Sequence, residues 1–246
     1  MEDRREKDNA AVWIWGALES PFPDGVEFSM ACQPDRPAGT GHRQALLPEE
    51  AALLKPDVHP RRRLEFTLGR SCARQALAGL DPALGTRPLL RDGPRKPRWP
   101  GGIVGAIAHA GGAAAAACGP ESVFLGLGLD MEMLREPREA LRKKVLRPEE
   151  LPLAAGPGDH RTVDFMLRFS AKESIFKALN PLSGIFLGFQ AALVELPAEV
   201  ENSTGGTFTW RLFRDCGPGF PAGFIGRGGF RRAGSGILCG VWLREP

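Results

Sequence analysis

Two short segments carry residue types that could do metal-assisted phosphate chemistry. Gly126-Leu127-Gly128-Leu129-Asp130-Met131-Glu132 places two carboxylates at i, i+2, and Phe169-Ser170-Ala171-Lys172-Glu173-Ser174-Ile175-Phe176-Lys177 places a third between two lysines. Two acids on one strand face repel each other unless a cation sits between them, and hard oxygen ligands favour Mg²⁺ or Ca²⁺. Three carboxylates with a lysine alongside suit a divalent metal holding a phosphate ester. An isolated D-x-E is equally a pair of solvated acids, and Glu173 with Lys177 is equally an ordinary i, i+4 pair, so the elements that position them must decide.

The first segment reads as a strand. Leu125, Leu127, Leu129, Met131 and Met133 alternate on one face, and Gly126, Gly128, Asp130 and Glu132 share the other. Glycine weakens a strand interior, so its presence there signals close approach by a ligand or another backbone. Val163 to Leu179 reads as a helix that stops at Asn180-Pro181. At about 100° per residue, Phe165, Phe169, Phe176 and Leu179 form an apolar stripe, with Glu173 about 40° from its centre and Lys177 one turn on. A carboxylate so close to an apolar stripe is costly unless it is paired or bound to metal. Lys172 also lies near the stripe and could snorkel past it.

Composition bounds the class. The chain has 246 residues, 43% of them hydrophobic. It contains no apolar run near the ~18 residues that span a bilayer, so a soluble globular protein of one or two compact units is expected, with no membrane partner. Met1 to Lys7 is mixed in charge with no apolar stretch behind it, which implies no secretory leader and a cytoplasmic location. Cys32, Cys72, Cys118, Cys216 and Cys239 show neither C-x-x-C nor His spacing and read as reduced thiols used in packing.

A net charge of +3 gives no global field for nucleic acid. The basic residues are unevenly spread, however: between His59 and Pro100 ten Lys or Arg stand against three acids. Clustered guanidinium groups favour phosphates. On a helix, Arg63, Arg70 and Arg74 lie near one face while Arg62 points aside, so not all can serve one ligand. Ile103, Gly105, Ile107 and His109 alternate as on a strand, followed by a turn at Ala110-Gly111-Gly112.

Elsewhere, Val12 to Gly16 reads as a strand, residues 48 to 80 as helix interrupted near Pro56 to Pro60, and Arg138 to Leu146 as a basic helix. A Gly- and Pro-rich loop reaches His160, and Phe186 to Phe189, Phe208 to Phe213 and Ile237 to Leu243 read as strands. No short-period repeat is visible. Basic Arg142-Lys143-Lys144 would suit an acidic partner helix, or simply solvent.

Gly-Leu-Asp-Met-Glu followed by Phe-Ser-Ala-Lys-Glu-Ser-Ile-Phe-Lys-Ala-Leu-Asn-Pro resembles the paired motifs of 4′-phosphopantetheinyl transferases of the Sfp and enterobactin-synthase type. Three upstream blocks extend the resemblance in family order: Arg62 to Leu77, Pro97-Arg98-Trp99-Pro100, and Gly105-Ala106-Ile107-Ala108-His109. The matches run from about residue 60 to about 190.

The resemblance implies an α+β fold of two similar halves about a pseudo-twofold axis with the active site between them, residues 1–124 and 125–246, joined near Glu121 to Gly126. It also implies that Ala113 to Ala117, helical by propensity, is a hairpin strand. The activity implied is transfer of phosphopantetheine from coenzyme A to a serine of an apo acyl- or peptidyl-carrier protein, with release of 3′,5′-ADP, by a monomeric pseudodimer. Mg²⁺, or Mn²⁺ in its place, would be held by Asp130, Glu132 and Glu173. Arg62, Arg70, Lys96 (or Arg95), His109, Asp130, Lys172 and Lys177 would contact coenzyme A. Lys177 and Glu173 would take part in catalysis, and Glu150, or its neighbour Glu149, would activate the serine. Ala108 departs from the family, where a serine or threonine usually precedes the histidine. Two other readings remain: a non-catalytic coenzyme A or carrier-protein binding module, and a metal-dependent phosphohydrolase, for which the histidines are few.

Overall fold

Pro60 opens the first long helix, since a proline at the first helical position gives up an amide that would have no partner there. This computed structural model describes residues 18–32, 45–93, 96–151, 158–198 and 200–245; the strand expected at Val12 to Gly16, and Arg95, lie outside them. A single turn of helix, α1 (Pro48–Ala51), precedes the long α2 (Pro60–Leu80). Leu68, Cys72, Ala73, Ala76 and Leu77 of α2 are buried against a three-stranded antiparallel sheet of β1 (Glu27–Cys32), β4 (Ile103–Ala110) and β5 (Ala113–Pro120), in the order β1-β5-β4. A short ribbon, β2 (Arg91–Asp92) with β3 (Lys96–Pro97), lies between α2 and β4 in sequence.

The alanine run is a strand. Gly111 and Gly112, at φ 55° and 78°, make the tight turn that folds β5 back along β4. Tertiary packing overrides helix propensity here because small side chains are needed on both faces. Ala114 and Ala116 face α2, while Ala113, Ala115 and Ala117 face the second half of the molecule.

That second half begins with β6 (Gly126–Met133), which pairs with β10 (Gly236–Leu243) at one edge of a five-stranded antiparallel sheet. The remaining strands, β9 (Ile225–Ala233), β8 (Gly205–Leu212) and β7 (Ala192–Glu195), complete the order β6-β10-β9-β8-β7. Two helices, α3 (Glu139–Val145) and α4 (Gly158–Ser183), lie between β6 and β7 in sequence. Leu129 and Met131 of β6 and Leu238 of β10 pack on Ala106, Ala108, Ala113, Ala115 and Ala117, joining the two sheets. Each half therefore has the same plan, one long helix on an antiparallel sheet.

Several boundaries differ from expectation. Helix α4 begins earlier and runs through Pro181, two residues from its end, where proline forfeits its own amide bond but few turns remain to be disturbed; Gly184, at φ 66°, then closes the helix with its amide bonded to the Asn180 carbonyl at 2.9 Å. Phe186 to Phe189 is not a strand. That stretch leaves Phe186 75% exposed, and its ring meets Phe176 edge-on at 5.6 Å. Strands β1, β7 and β9 were not expected; β9 is rich in glycine and arginine and lacks clear apolar alternation.

Candidate active site

Helix α4 reaches the metal-type residues because β6 lets its backbone come close. A Cβ on Gly128 would strike the Ser174 carbonyl, and one on Gly126 would lie 2.7 Å from the Ala178 carbonyl oxygen. The bare backbone positions seen in the sequence thus accommodate a helix rather than a ligand. Two residues further along the same strand face, Asp130 meets Lys177: Nζ donates to Oδ1 at 2.8 Å and to the Leu129 carbonyl at 3.0 Å.

The second Asp130 oxygen, Oδ2, is buried and has no hydrogen-bond partner among the described residues. Glu132 and Glu173 are half-buried nearby. Burial, followed by the charge of Asp130, pushes the Glu132 carboxyl up to about 7, against the pull of Arg135 at 3.7 Å and of Lys177, with Glu173 adding to the rise. Burial and then Asp130 likewise raise Glu173, which Lys177 opposes. Among the described residues no three such side chains stand close enough to hold a metal ion as they are. The chemistry of the site still fits one. Three mutually repelling carboxyls supply hard oxygen donors, and an orphaned buried oxygen is the atom a cation would satisfy.

The other half contributes Arg62 and His109. Arg62 Nη1 lies 3.0 Å from His109 Nε2, and Glu65 stands beside both, 3.6 Å from Arg62 and 3.6 Å from His109 Nδ1. Burial holds His109 below its usual pKa; Glu65 opposes this, Arg62 and Lys177 add to it, and Asp130 opposes it. His109 therefore feels charges from both α2 and the β6–α4 pair. Arg70 is buried, its guanidinium 4.4 Å from the centre of the Phe66 ring, with Nε unpartnered among the described residues. Burial lowers Arg70 to about 10. Lys96 is exposed on β3. Helical phase placed Arg63, Arg70 and Arg74 together, but they separate by depth: Arg63 is exposed, and Arg74 is buried against Glu50. Ala108 is buried in the joint between sheets.

Glu150 and Lys172 meet each other in the interior. Glu150 is fully buried: Oε2 accepts from Lys172 Nζ at 2.5 Å and from the Arg147 amide at 2.8 Å, and Oε1 accepts from the Val194 amide at 2.8 Å, with Arg168 at 3.7 Å. Lys172 also donates to the Val145 carbonyl at 2.9 Å, and its burial lowers its pKa against the pull of Glu150. Glu150 and Lys172 thus form a buried ion pair, and Lys172 is also among the residues that line a cavity beside Glu173. Glu149 is exposed but is turned to Arg147 at 3.2 Å. Of the basic trio, Arg142 is buried and only Lys143 and Lys144 face solvent.

Sequence reasoning missed Glu65 and an apolar cavity of about 480 Å³ beside Glu173. The cavity is lined by Ile175, Phe176, Phe186, Leu187 and Phe189 together with Lys144, Lys172 and Glu173. The cluster of aromatic and aliphatic residues at 186 to 189 was its only signal, and it read as a strand.

Comparison with known proteins gives consistent matches. The family model for the 4′-phosphopantetheinyl transferase N-terminal domain matches residues 49–119, and that for the 4′-phosphopantetheinyl transferase superfamily matches residues 126–219. The 4′-phosphopantetheinyl transferase Svp of Streptomyces mobaraensis is 37% identical over 202 residues, covering 80% of this chain and 73% of that protein. PptT of Mycobacterium tuberculosis is 36% identical over 176 residues, with coverage of 69% and 73%. Npt of Nocardia iowensis is 34% identical over 165 residues, with coverage of 66% and 72%. Among solved structures, Thermotoga maritima holo-[acyl-carrier-protein] synthase aligns at 20% identity and a TM-score of 0.38, over 50% of this chain and 65% of that one.

Proposed function

This chain belongs to the 4′-phosphopantetheinyl transferase superfamily, and we propose that it takes phosphopantetheine from coenzyme A and delivers it to a serine of an apo acyl- or peptidyl-carrier protein, releasing 3′,5′-ADP. It is a transferase that acts on carrier proteins. The observation that carries the finer reading is the bond of Lys177 to Asp130 where β6 meets α4, with the half-buried Glu132 and Glu173 close enough for their charges to act on one another or on Asp130 and one buried Asp130 oxygen unpartnered among the described residues.

Asp130, Glu132 and Glu173 would hold Mg²⁺, or Mn²⁺ in its place. Bound there, the metal would offset the charge of the pyrophosphate and polarise the phosphoryl group under attack. Lys177, 31% exposed at its side chain, is free to lean from Asp130 toward a phosphate and to stabilise the departing 3′,5′-ADP. Arg62 and His109, with exposed Lys96, would bind the 3′-phosphate end; Arg70 backs them through its stacked position on Phe66. The two halves would divide near Glu121 to Gly126, with this site between them.

Incubating the protein with coenzyme A, Mg²⁺ and several apo carrier proteins tests the reading. A covalent mass gain on the carrier serine with stoichiometric 3′,5′-ADP is expected. Coenzyme A binding without any gain on any carrier would leave a binding module, and phosphodiester cleavage without carrier would leave a hydrolase. Among the described residues no helix is long and apolar enough to cross a membrane.

A further inference from the structure

The surroundings of Glu150 occur twice in this molecule. Leu46-Leu47-Pro48-Glu49-Glu50 and Leu146-Arg147-Pro148-Glu149-Glu150 are the same Leu-x-Pro-Glu-Glu string, one in each half. In the first, Glu50 is fully buried; Oε2 accepts from the Leu47 amide at 3.0 Å and from Arg74 of α2, and Oε1 accepts from the Leu89 amide at 3.0 Å. In the second, Glu150 Oε2 accepts from the Arg147 amide and from Lys172 of α4, and Oε1 from the Val194 amide. The cations match as well: Arg74 donates to the Ala45 carbonyl at 2.7 Å and Lys172 to the Val145 carbonyl at 2.9 Å.

The Glu50 clamp has no metal-type carboxylate beside its cation, since Arg74 is flanked by Ala73 and Gln75. Its work is to lock a proline turn, a long helix and a distant chain segment together. The Glu150 clamp is built from the same parts, but its cation is the immediate neighbour of Glu173 and lies one turn and a residue before Lys177.

We infer that Glu150 is a positioning residue, which through Lys172 fixes the rotation and height of α4 so that Glu173 and Lys177 face Asp130 and Glu132, and that it is not the base that activates the carrier serine. A helix residue turns by about 100°, so a small rotation of α4 would carry Glu173 off the β6 face. A fully buried carboxylate that accepts from Lys172 and from the Arg147 and Val194 amides, with Arg168 at 3.7 Å, is enclosed on both oxygens and well suited to fix a helix.

The inference rests on the transferase reading only for its turnover measurement; Mn²⁺ binding, followed by electron paramagnetic resonance with coenzyme A present, does not need transfer to occur. Three variants are compared with the native protein: Glu150→Gln, Lys172→Met, and both together. Each single change strands a buried charge, and each is expected to weaken Mn²⁺ binding by about tenfold or more, within the range seen when partners behind metal ligands are removed. The double variant removes both charges and is expected to melt above Glu150→Gln and to recover Mn²⁺ affinity and turnover to within about threefold of native, the non-additivity that marks a pair acting together. Native Mn²⁺ affinity in Glu150→Gln with turnover reduced about a hundredfold or more, unrestored in the double variant, would instead assign Glu150 as a base. A double variant no more stable than Glu150→Gln also overturns the pairing. If the native protein transfers nothing to any carrier, the function reading fails while the Mn²⁺ series still reports on the clamp.

Discussion

Lys177 of α4 and Asp130 of β6, 47 positions apart in sequence, meet at 2.8 Å, and the other Asp130 oxygen is buried and unpartnered among the described residues. One carboxylate thus has a cation on one side and an unmet need on the other, which is the arrangement expected where a second cation is to join the first.

Removing the lysine charge should therefore impair chemistry more than folding. Lys177→Met is expected to lower kcat by about 10²- to 10³-fold, the scale of losing one aimed electrostatic donor, with circular dichroism unchanged. Turnover within a few-fold of native would remove Lys177 from the reaction.

Glu173→Gln and Asp130→Ala should each abolish measurable transfer, a larger effect than the about 10- to 100-fold typical of residues that merely support a ligand, and excess Mg²⁺ should not restore it. Coenzyme A titrations on the folded variants distinguish lost catalysis from lost fold. Near-native activity in either variant excludes the three-carboxylate site.

Burial and neighbouring acids raise Glu132 to about 7. A group whose folded pKa lies above its unfolded value binds its proton more tightly when folded, so the metal-free protein should lose stability as pH rises from about 4.5 to about 7. A cation reverses that repulsion. At fixed coenzyme A, Mg²⁺ should accordingly raise the melting temperature more at pH 8 than at pH 6, and an equal rise at both would show that the Glu132 carboxyl does not compete with the metal.

Arg62 is half-exposed and bonded to His109 rather than to anything that forms only during reaction. Arg62→Ala should raise the KM for coenzyme A by about tenfold or more, the worth of a charge-assisted hydrogen bond, with little change in kcat. A fall in kcat at unchanged KM would contradict ground-state binding.

Gly128 should tolerate no side chain, because its Cβ would run into the Ser174 carbonyl of α4. Gly128→Ala is expected to cost about 1–3 kcal/mol or more in urea unfolding and to weaken metal binding together with it, since the helix that carries Glu173 must move. A stable variant would mean that α4 can stand off from β6.

The sequence by itself determined the parts with a short-range cause. Alternation placed Asp130 and Glu132 on one face of a strand, helical phase placed Glu173 one turn before Lys177, and the Gly111-Gly112 pair fixed the turn beside His109. Motif order identified the family. What only the tertiary structure decided was depth and partnership. Arg62, Arg70 and Arg74 differ little as letters, but one is exposed, one is stacked on Phe66 and one is buried against Glu50. Lys172 and Lys177 look interchangeable along the helix, yet one turns inward to Glu150 and the other to Asp130. Phe186 to Phe189 has strand composition and became a cavity wall. The Leu-x-Pro-Glu-Glu repeat was legible as a string; its meaning was not, because hydrogen bonding to Leu89 and Val194 links segments far apart in the chain. Periodicity reports which way a side chain points from its own element, whereas the charge it meets there depends on which other element has been packed against it.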